Sequence, residues 1–461
     1  MSLSRRSFLR TAGAGAFATP LEALRSRLEA GVVARSELGY GPLNLVKDAT
    51  TGLPLLELPE GFRYMTFGWT GDSMDDARRV PPLHDGMAAF AGENGRVVLV
   101  RNHEIGRGPA LNAPTYDSQA GGGTTTTVFD PATEKVVSTR VSLAGTLRNC
   151  AGGPTPWGSW LTCEESVAGP TNENPLPLQH GYIFEVPHDG VSDAKPLKAM
   201  GCFVHEAIAV DPQTGIVYET QDIDPLAPSR SARAQQGLYR FMPKTRGRLA
   251  DGGRLQMLAV DGRRAFDTTR SQRAGATYDI HWVDIPDPDR PHHLSPTTGY
   301  GLGVVQQGIN AGGAIFSRLE GATFGGGRLY VTATDGGDEK MGQVWEIDPR
   351  RDRLRLVFQS PGAPVLNMPD NLTLSPRGGL VLCEDGTATP CVHGLTRDGR
   401  IFRFARNNVK IDTPRNGLTG DFSQREFAGA TYSPDGKWLF FNAQTPGITF
   451  AVTGSWADGG L

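Results

Sequence analysis

The stretch Gly321-Ala-Thr-Phe-Gly-Gly-Gly-Arg-Leu-Tyr-Val-Thr-Ala-Thr-Asp335 decides the fold, because it predicts two short apolar strands joined by a tight glycine turn. Glycine supplies the positive φ that hairpin turns require. A third strand follows at Gly342-Gln-Val-Trp-Glu-Ile-Asp-Pro349 and a fourth at Arg353–Phe358. Their alternation of polar and apolar residues indicates strands with one face in a core. The stretch therefore predicts a sheet of four antiparallel strands.

The same unit recurs along the chain, each time as a pair of strands around a Gly-, Pro- or Asn-containing turn. The paired strands of the six copies begin near Met87 and Arg96, Cys150 and Gly158, Glu206 and Gly215, Gly321 and Arg328, Asn371 and Gly379, and Gly429 and Lys437. Repeated four-stranded antiparallel sheets are typical of a β-propeller. We therefore predict an all-β protein, a six-bladed β-propeller with four antiparallel strands per blade.

The two ends of the repeat predict how the ring closes. The sixth unit runs out of chain after its third strand, residues 447–452, and an orphan strand at Gly61–Trp69 precedes the first unit. We expect this N-terminal strand to complete the last blade, because closure removes exposed sheet edges. An insertion of about residues 261–319 separates units three and four. Residues 35–461 then form one propeller domain.

The composition agrees with a turn-rich β protein and excludes several classes. The 461 residues include 59 glycines and 33 prolines, about a fifth of the chain against roughly 12% in average proteins. The net charge is −3, with no basic excess of the kind that nucleic-acid binders show. Phosphate-loop, serine-elbow and His-Glu-x-x-His motifs are absent from the sequence. We expect no nucleic-acid partner and no membrane span, and a monomer.

The N-terminus predicts export. Ser4-Arg-Arg-Ser-Phe-Leu-Arg10 followed by a short Ala- and Gly-rich stretch is a twin-arginine signal pattern. We expect residues 1–34 to be signal and linker, the twin-arginine translocase to be a partner, and the mature protein to be periplasmic or secreted. Cys163, Cys202, Cys383 and Cys391 are expected to be buried apolar residues or incidental disulfide partners.

Polar residues recur at one end of the predicted hairpins. Before the first strands lie His84/Asp85, Asn149/Cys150, His205/Glu206, Arg318/Glu320 and Asp370/Asn371. After the second strands lie Asn102/His103/Glu104, Glu164/Glu165, Asp222/Asp224, Asp335/Asp338, Glu384/Asp385 and Asn442. Both ends of a hairpin lie on the same side, so the propeller would gather these groups on one face around its channel.

Such a ring of carboxylates predicts bound cations. Clustered carboxylates repel one another and raise each other's pKa values unless a positive charge lies among them. Carboxylate, amide and backbone oxygens suit Ca²⁺, whereas Cys150 with histidines and glutamates suits a transition metal such as iron or zinc. Strand-end capping by these residues is the alternative interpretation.

The phrases that carry this ring resemble the PhoX-type alkaline phosphatases. They are Asn-Cys-Ala-Gly-Gly-x-Thr-Pro-Trp-Gly-x-Trp-Leu-Thr-Cys-Glu-Glu at 149–165, His-Glu-Ala at 205–207 and Arg-Leu-Glu-Gly-Ala at 318–322, together with the twin-arginine signal. The resemblance implies a six-bladed propeller exported in the folded state. It also implies a site of two Fe³⁺ and about three Ca²⁺ that hydrolyses small phosphomonoesters.

The resemblance assigns roles to individual residues. Cys150 matches the iron-ligating cysteine, Glu206 and Glu320 match glutamates of the cluster, and Arg318 matches the arginine that clamps phosphate. Arg318, Glu206 and Glu320 are thus the predicted catalytic residues. The remaining predicted metal ligands are Glu164, Glu165, Asp222, Asp370, Asn371 and Glu384. The chain is shorter than well-known members of the family.

Two other functions stay open on the sequence. One is a propeller hydrolase that uses a single calcium ion, such as a lactonase, which would have little use for Cys150 or Arg318. The other is a non-catalytic, calcium-stabilised propeller that presents its loops to a partner. Metal content and phosphoester turnover distinguish these possibilities from a phosphatase.

Overall fold

The computed structural model describes residues 38–461 apart from 112, 171–174, 223–234, 292–293, 296–298, 301–302 and 387. The predicted signal and linker at 1–34 lie outside the described residues, as does Asp224. Among the described residues, no helix combines the length and apolar content that crossing a membrane requires.

The described residues are dominated by strands, labelled β1–β30 in chain order, with a single α-helix, α1, at Val304–Ala311. The strands are Leu43–Val46, Leu56–Pro59, Phe62–Phe67, His84–Ala91, Val97–His103, Gly122–Asp130, Lys135–Thr146, Asn149–Pro154, Ser159–Glu164, Ile183–Pro187, His205–Val210, Val217–Gln221, Leu238–Pro243, Gly253–Val260, Thr277–Asp284, Leu294–Ser295, Gly299–Tyr300, Leu319–Gly325, Arg328–Ala333, Gln343–Asp348, Arg353–Gln359, Pro369–Leu374, Leu380–Glu384, Cys391–Leu395, Ile401–Asn407, Lys410–Arg415, Leu418–Asp421, Phe427–Tyr432, Leu439–Ala443 and Ile448–Gly454.

The strands form antiparallel sheets in a propeller-like arrangement. Successive strands pair in the groups β4–β7, β8–β10, β11–β14, β18–β21 and β22–β25, and β28–β30 pair with the N-terminal β3. The first strands of these groups, β4, β8, β11, β18, β22 and β28, are called the inner strands. Each inner strand contacts the next, and β28 contacts β4. The all-β class and the propeller-like arrangement predicted from the sequence are confirmed.

The sheets differ from the predicted pattern in three places. The group β8–β10 has three strands in the described part of the chain, and only a single bridge, Phe184 to Pro196, lies beyond β10. Proline lacks the N–H that a ladder needs, which explains why no full strand forms there. The group β22–β25 is extended beyond its fourth strand by β2 and β1, which makes a six-stranded sheet. Within the predicted insertion, β15 pairs with both β14 and β21 and thereby joins two groups.

The closing strand lies where the sequence places it. β3 pairs antiparallel with β30 from Phe62 opposite Gly454 to Phe67 opposite Thr449. Tyr64 of β3 is fully buried and its ring lies 5.8 Å from that of Phe450. The contact ties the two ends of the described chain into one core.

All six inner strands carry the same irregularity. Each pairs with its second strand at its first residues, loses register for two residues and then resumes pairing. The interrupted pairs are 85–86, 150–151, 206–207, 320–321, 370–371 and 429–430. A β-bulge redirects side chains out of the regular alternation. The repeated bulge therefore turns one side chain toward the channel in five of the inner strands, whereas the sixth has Gly429 at this position.

The inner strands also lie unusually close together, and this explains two of the many glycines. A Cβ on Gly153 would lie 1.9 Å from the carbonyl oxygen of Ile208 on the neighbouring inner strand. A Cβ on Gly321 would lie 2.7 Å from the carbonyl oxygen of Asp370. Only glycine permits these approaches, so the inner strands can surround a narrow channel.

Candidate metal centre

The first residue of each bulge supplies the centre of the site. These residues are Asp85, Cys150, Glu206, Glu320 and Asp370, with Gly429 at the corresponding position of the sixth inner strand. The exposure of the first four is 3–6%. Four carboxyl groups and one thiol thus meet where the inner strands converge.

These side chains form groups of the size that a metal ion needs. Within each group the candidate ligand atoms lie no more than 4.8 Å from one another. The groups are Cys150 with Glu165 and Glu206, Glu206 with Glu320 and Asp370, and Asp85 with Glu104 and Glu426. Glu206 belongs to two groups, so it lies at the junction of adjacent sites.

Side chains on second strands fix the bulges from the preceding group. The amide of Asn102 donates to the carbonyl oxygens of Cys150, at 3.1 Å, and Ala151, at 2.7 Å. The hydroxyl of Thr220 donates to the carbonyl of Glu320 at 2.6 Å. Two further contacts of this kind join Thr332 to Asp370 and Asn442 to Asp85, each at 2.7 Å. Neighbouring groups therefore set the positions of the bulge residues.

A second layer of polar residues follows the second strands. The backbone N–H of Glu104, Glu165, Asp222 and Asp385 each donates to the residue just before the same group's inner strand. The acceptors are the carbonyls of Leu83, Arg148, Val204 and Met368. The shared contact places four carboxylates at equivalent positions beside the bulge residues. Thr334 and Gln444 hold this position in the other two groups.

Arg318 bridges carboxylates of the site. Its Nη2 donates to Glu320 Oε1 at 2.6 Å, and its Nε donates to Asp222 Oδ1 at 3.2 Å. Asp385 Oδ2 lies 4.0 Å from the same Nη2. The neighbouring Glu320 carboxylate, more than any other group, raises the pKa of Arg318. The guanidinium thus stays charged at the edge of the cluster, 23% exposed.

Arg148 is a second arginine in the site that the sequence analysis missed. Its Nη2 lies 2.5 Å from Glu165 Oε2 and also forms an ion pair with Glu104. Burial lowers the pKa of this guanidinium, but the Glu165 and Glu104 carboxylates outweigh burial and raise it. The sequence spacing could have indicated it, because Arg148 stands two residues before Cys150 just as Arg318 stands two residues before Glu320.

The central acids have raised pKa values because they are buried close to one another. Burial, followed by repulsion from neighbouring carboxylates, raises the pKa values of Asp85, Glu165, Glu206 and Glu320 well above their usual range. For Asp370, burial and then Asp385 raise the pKa to about 7. A cation among these groups would remove both penalties.

The Cys150 thiol faces the same penalty as the acids. Burial and the Glu206 carboxylate raise its pKa, and Sγ donates a hydrogen bond to the carbonyl of His205 at 3.3 Å. A coordinating metal would instead stabilise the thiolate. All five cysteines are buried and none forms a disulfide. The apolar burial expected for the other four is therefore what the structure shows.

Glu164 lies in a different environment from Glu165. Its Oε1 accepts from Leu147 N–H at 2.8 Å and lies 2.6 Å from His180 Nδ1, and its Oε2 accepts from Gly181 N–H at 2.9 Å. These contacts occupy both oxygens, so the geometry favours Glu165 over Glu164 as a metal ligand.

Glu384 occupies the same kind of position in another group. Its oxygens accept from the N–H groups of Asn367 and Cys391 at 2.7 and 2.8 Å. It also belongs to a compact buried group with Cys391 and His393. Its contacts therefore match those of Glu164 and separate it from the central acids.

The other predicted ligands lie at the centre or beside it. Asp370 is a bulge residue, Asp222 pairs with Arg318, and the Asn371 side chain accepts from Gly429 N–H at 2.7 Å. Asp335 accepts from Ser317 Oγ at 2.5 Å and belongs to none of the metal-sized groups. Glu426 was missed because it precedes a sixth inner strand that carries glycine at the bulge.

Comparison with known proteins agrees with this architecture. A family model described as "Alkaline phosphatase PhoX" matches residues 38–447. The structure of Pseudomonas fluorescens PhoX with vanadate, a transition state analogue, is similar with a TM-score of 0.60 and 16% identity over 92% of this chain and 99% of that one. A gluconolactonase from Xanthomonas campestris gives a TM-score of 0.47 and 14% identity, over 90% and 99% of the two chains. No curated protein sequence matches the chain significantly.

Proposed function

The chain belongs to the alkaline phosphatase PhoX family and is a metal-dependent phosphoric monoester hydrolase, and we propose that its inner-strand bulges hold the cations of that reaction. The observation that supports this most strongly is the repeated bulge, which brings Asp85, Cys150, Glu206, Glu320 and Asp370 together. Arg148 and Arg318 pair with Glu165 and Glu320, and bound cations would supply the further positive charge that so many buried acids need.

The donor set fits a mixed cluster of hard and softer cations. Asp370 Oδ1 is buried with no hydrogen-bond partner among the described residues. Cys150 with Glu165 and Glu206 supplies a thiolate and carboxylates, which suits iron. The all-carboxylate group of Asp85, Glu104 and Glu426 suits Ca²⁺. We assign two Fe³⁺ and about three Ca²⁺ to the site, with Glu320, Asp222 and Asn371 contributing from the adjacent positions.

Each catalytic residue has a definite task in this proposal. When bound, the cations neutralise charge on the phosphoryl group and supply an activated water near neutral pH. Arg318 donates two parallel N–H bonds to phosphoryl oxygens, a geometry that lysine cannot reproduce. Glu320 holds the guanidinium of Arg318 in place, and Glu206 joins neighbouring cation sites. No protein nucleophile is needed.

The remaining architecture and location follow from the same family membership. We infer six blades, because the inner strands contact one another in a cycle of six. Residues 35–461 then make up one monomeric propeller domain. We also infer export by the twin-arginine translocase to the periplasm or beyond, since residues 4–10 carry that signal pattern.

Substitution of Arg318 tests the proposed clamp. Arg318→Gln should lower kcat/KM for p-nitrophenyl phosphate by about 10²–10³, because a preorganised charge contact to the transition state is lost. Arg318→Lys should restore only part of the activity. Arg400→Gln is the control, since Arg400 is half exposed and forms its ion pair with the similarly exposed Asp398. Unchanged kinetics in Arg318→Gln, or turnover of lactones and of no phosphoester by the native protein, would contradict the proposal.

A further inference from the structure

Arg148 and Arg318 occupy the same place in two different strand groups. Arg148 directly precedes the inner strand β8, and Arg318 directly precedes the inner strand β18. Both residues have a positive backbone φ, 50° for Arg148 and 43° for Arg318. The carbonyl of each accepts from the residue after the second strand, Glu165 at 2.9 Å and Thr334 at 2.8 Å. The two side chains therefore start from matched backbone positions.

The backbone itself does not call for arginine at this position. Leu83 and Met368 precede two other inner strands with φ of 54° and 57°, and their carbonyls accept the corresponding bonds. Non-glycine residues with positive φ are uncommon. Leucine and methionine adopt the same backbone conformation, so the fold does not require arginine at this position. We therefore attribute the two arginines to the chemistry of the site.

The two arginines also have matched ionic partners. Arg148 pairs with Glu104 after the preceding group's second strand, as Arg318 pairs with Asp222. Each also pairs with an acid of its own group, Glu165 or Glu320. Glu165 and Glu320 belong to the two metal-sized clusters of side chains that share Glu206. Each guanidinium group thus pairs with a carboxylate that lies beside Glu206.

Arg148 is the more exposed of the pair. Its side chain is 36% exposed, against 23% for Arg318. Its ion pairs use Nε and Nη2, and no bond to Nη1 is found in the described part of the chain. Arg148 therefore keeps donor capacity at Nη1 within the described part of the chain, on a side chain more exposed than that of Arg318.

We propose that Arg148 selects phosphomonoesters whose leaving group carries a second anionic group, such as a carboxylate. The inference rests on the proposed function, in which Arg318 and the cations hold the scissile phosphoryl group. With the cations in place, Glu104 and Glu165 no longer depend on Arg148 as their counter-ion. The guanidinium can then make a two-donor contact to the substrate's distal anion.

Two substrates that differ by one carboxylate test this selection. Glucose 6-phosphate has a neutral leaving group, and 6-phosphogluconate has an anionic one. Arg148→Gln should lower kcat/KM for 6-phosphogluconate by about tenfold to hundredfold, mainly through KM, because a charge-assisted contact is lost. The loss of kcat/KM on glucose 6-phosphate should be at least about fivefold smaller, and Arg148→Lys should recover part of the loss on 6-phosphogluconate.

Metal content and a control variant separate this role from a structural one. Iron and calcium per chain should be equal in the native protein and Arg148→Gln, and Arg400→Gln should leave both substrates unaffected. An equal loss on both substrates, a fall in metal content, or no loss on either would overturn the inference. Failure of the native protein to hydrolyse p-nitrophenyl phosphate would instead contradict the proposed function, and the inference would fall with it. Hydrolysis of p-nitrophenyl phosphate but of neither sugar ester would overturn the inference alone.

Discussion

At the residue scale, the thiol of Cys150 and the carboxylates of Glu206 and Glu320 lie at equivalent bulges of three inner strands. The neighbouring acids Glu164 and Glu165 face different sides of a strand end. Glu164 accepts from the backbone N–H groups of Leu147 and Gly181, whereas Glu165 pairs with Arg148. The sequence alone did not separate these two acids, because the donors to Glu164 come from other parts of the chain.

Cys150 offers a sharp test at this scale. Cys150→Ser should remove most bound iron and most phosphatase activity, since serine replaces a soft thiolate with a weakly acidic hydroxyl. Metal content by elemental analysis and turnover of p-nitrophenyl phosphate are the measurements. Cys202→Ser is a matched control, because its buried Sγ also donates to a backbone carbonyl, that of His180 at 3.4 Å. Equal iron in the two variants would contradict the assignment of Cys150.

At the scale of the element, the bulge in each inner strand positions the residues of the candidate metal centre. The sequence showed where each inner strand begins, because period-2 alternation and turn residues mark hairpins. The sequence did not predict the bulges, because no residue type or pattern marks the two positions at which pairing is interrupted. The bulges become visible only through the register of the second strand and through side chains of the neighbouring group, such as Asn102 and Thr332.

Thr332 tests whether these neighbouring contacts hold the bulges. Its hydroxyl donates to the carbonyl of Asp370 at 2.7 Å and accepts from Gly321 N–H at 2.8 Å. Thr332→Val keeps the shape but leaves both groups unpaired, so the free energy of unfolding should fall by about 1–3 kcal/mol. Urea denaturation measures the change.

A second threonine provides the comparison. The buried Thr127 hydroxyl shares a hydrogen bond with the Thr139 hydroxyl at 3.1 Å, away from the bulges. Thr127→Val should cost less stability and leave metal content unchanged, whereas Thr332→Val should also lower metal content. Equal effects of the two substitutions on metal content would show that Thr332 does not position the site.

At the scale of the whole molecule, the excess of acids at the centre links stability to pH. Raised pKa values of Asp85, Glu165, Glu206 and Glu320 mean that the folded, metal-free chain binds more protons than the unfolded chain. Stability must then fall as pH rises. Buried His84, His103 and His205 have lowered pKa values and act in the opposite direction, but only below their ordinary pKa of 6.5.

The melting temperature of the chelator-treated protein tests this linkage. It should decrease between about pH 6.5 and 8, where the histidine contribution has ended and the pKa of Asp370, about 7, is crossed. Added Ca²⁺ and iron should reverse the trend, because cations bind deprotonated ligands more tightly. Glu206→Gln should weaken the pH dependence. A metal-free melting temperature that rises over this interval would contradict the account.

The ring as a whole was the part of the fold that the sequence predicted best. Repetition predicted the strand groups, and the unmatched strand at residues 61–69 predicted the pairing of β3 with β30. Strand β15 and helix α1, within the predicted insertion, were not predicted, because no repeat partner exists for comparison. Short irregular segments are decided by tertiary contacts that one sequence does not display.

The most direct test of the central claim is the iron and calcium content of the folded protein, purified from an iron-replete source, beside that of Glu206→Gln. Glu206 belongs to two of the metal-sized groups, so its loss should affect more than one cation. We predict both metals in the native protein, and a parallel fall in metal content and phosphatase activity in Glu206→Gln. An active native protein without iron, or native metal content in Glu206→Gln, would contradict a metal centre built on the inner-strand bulges.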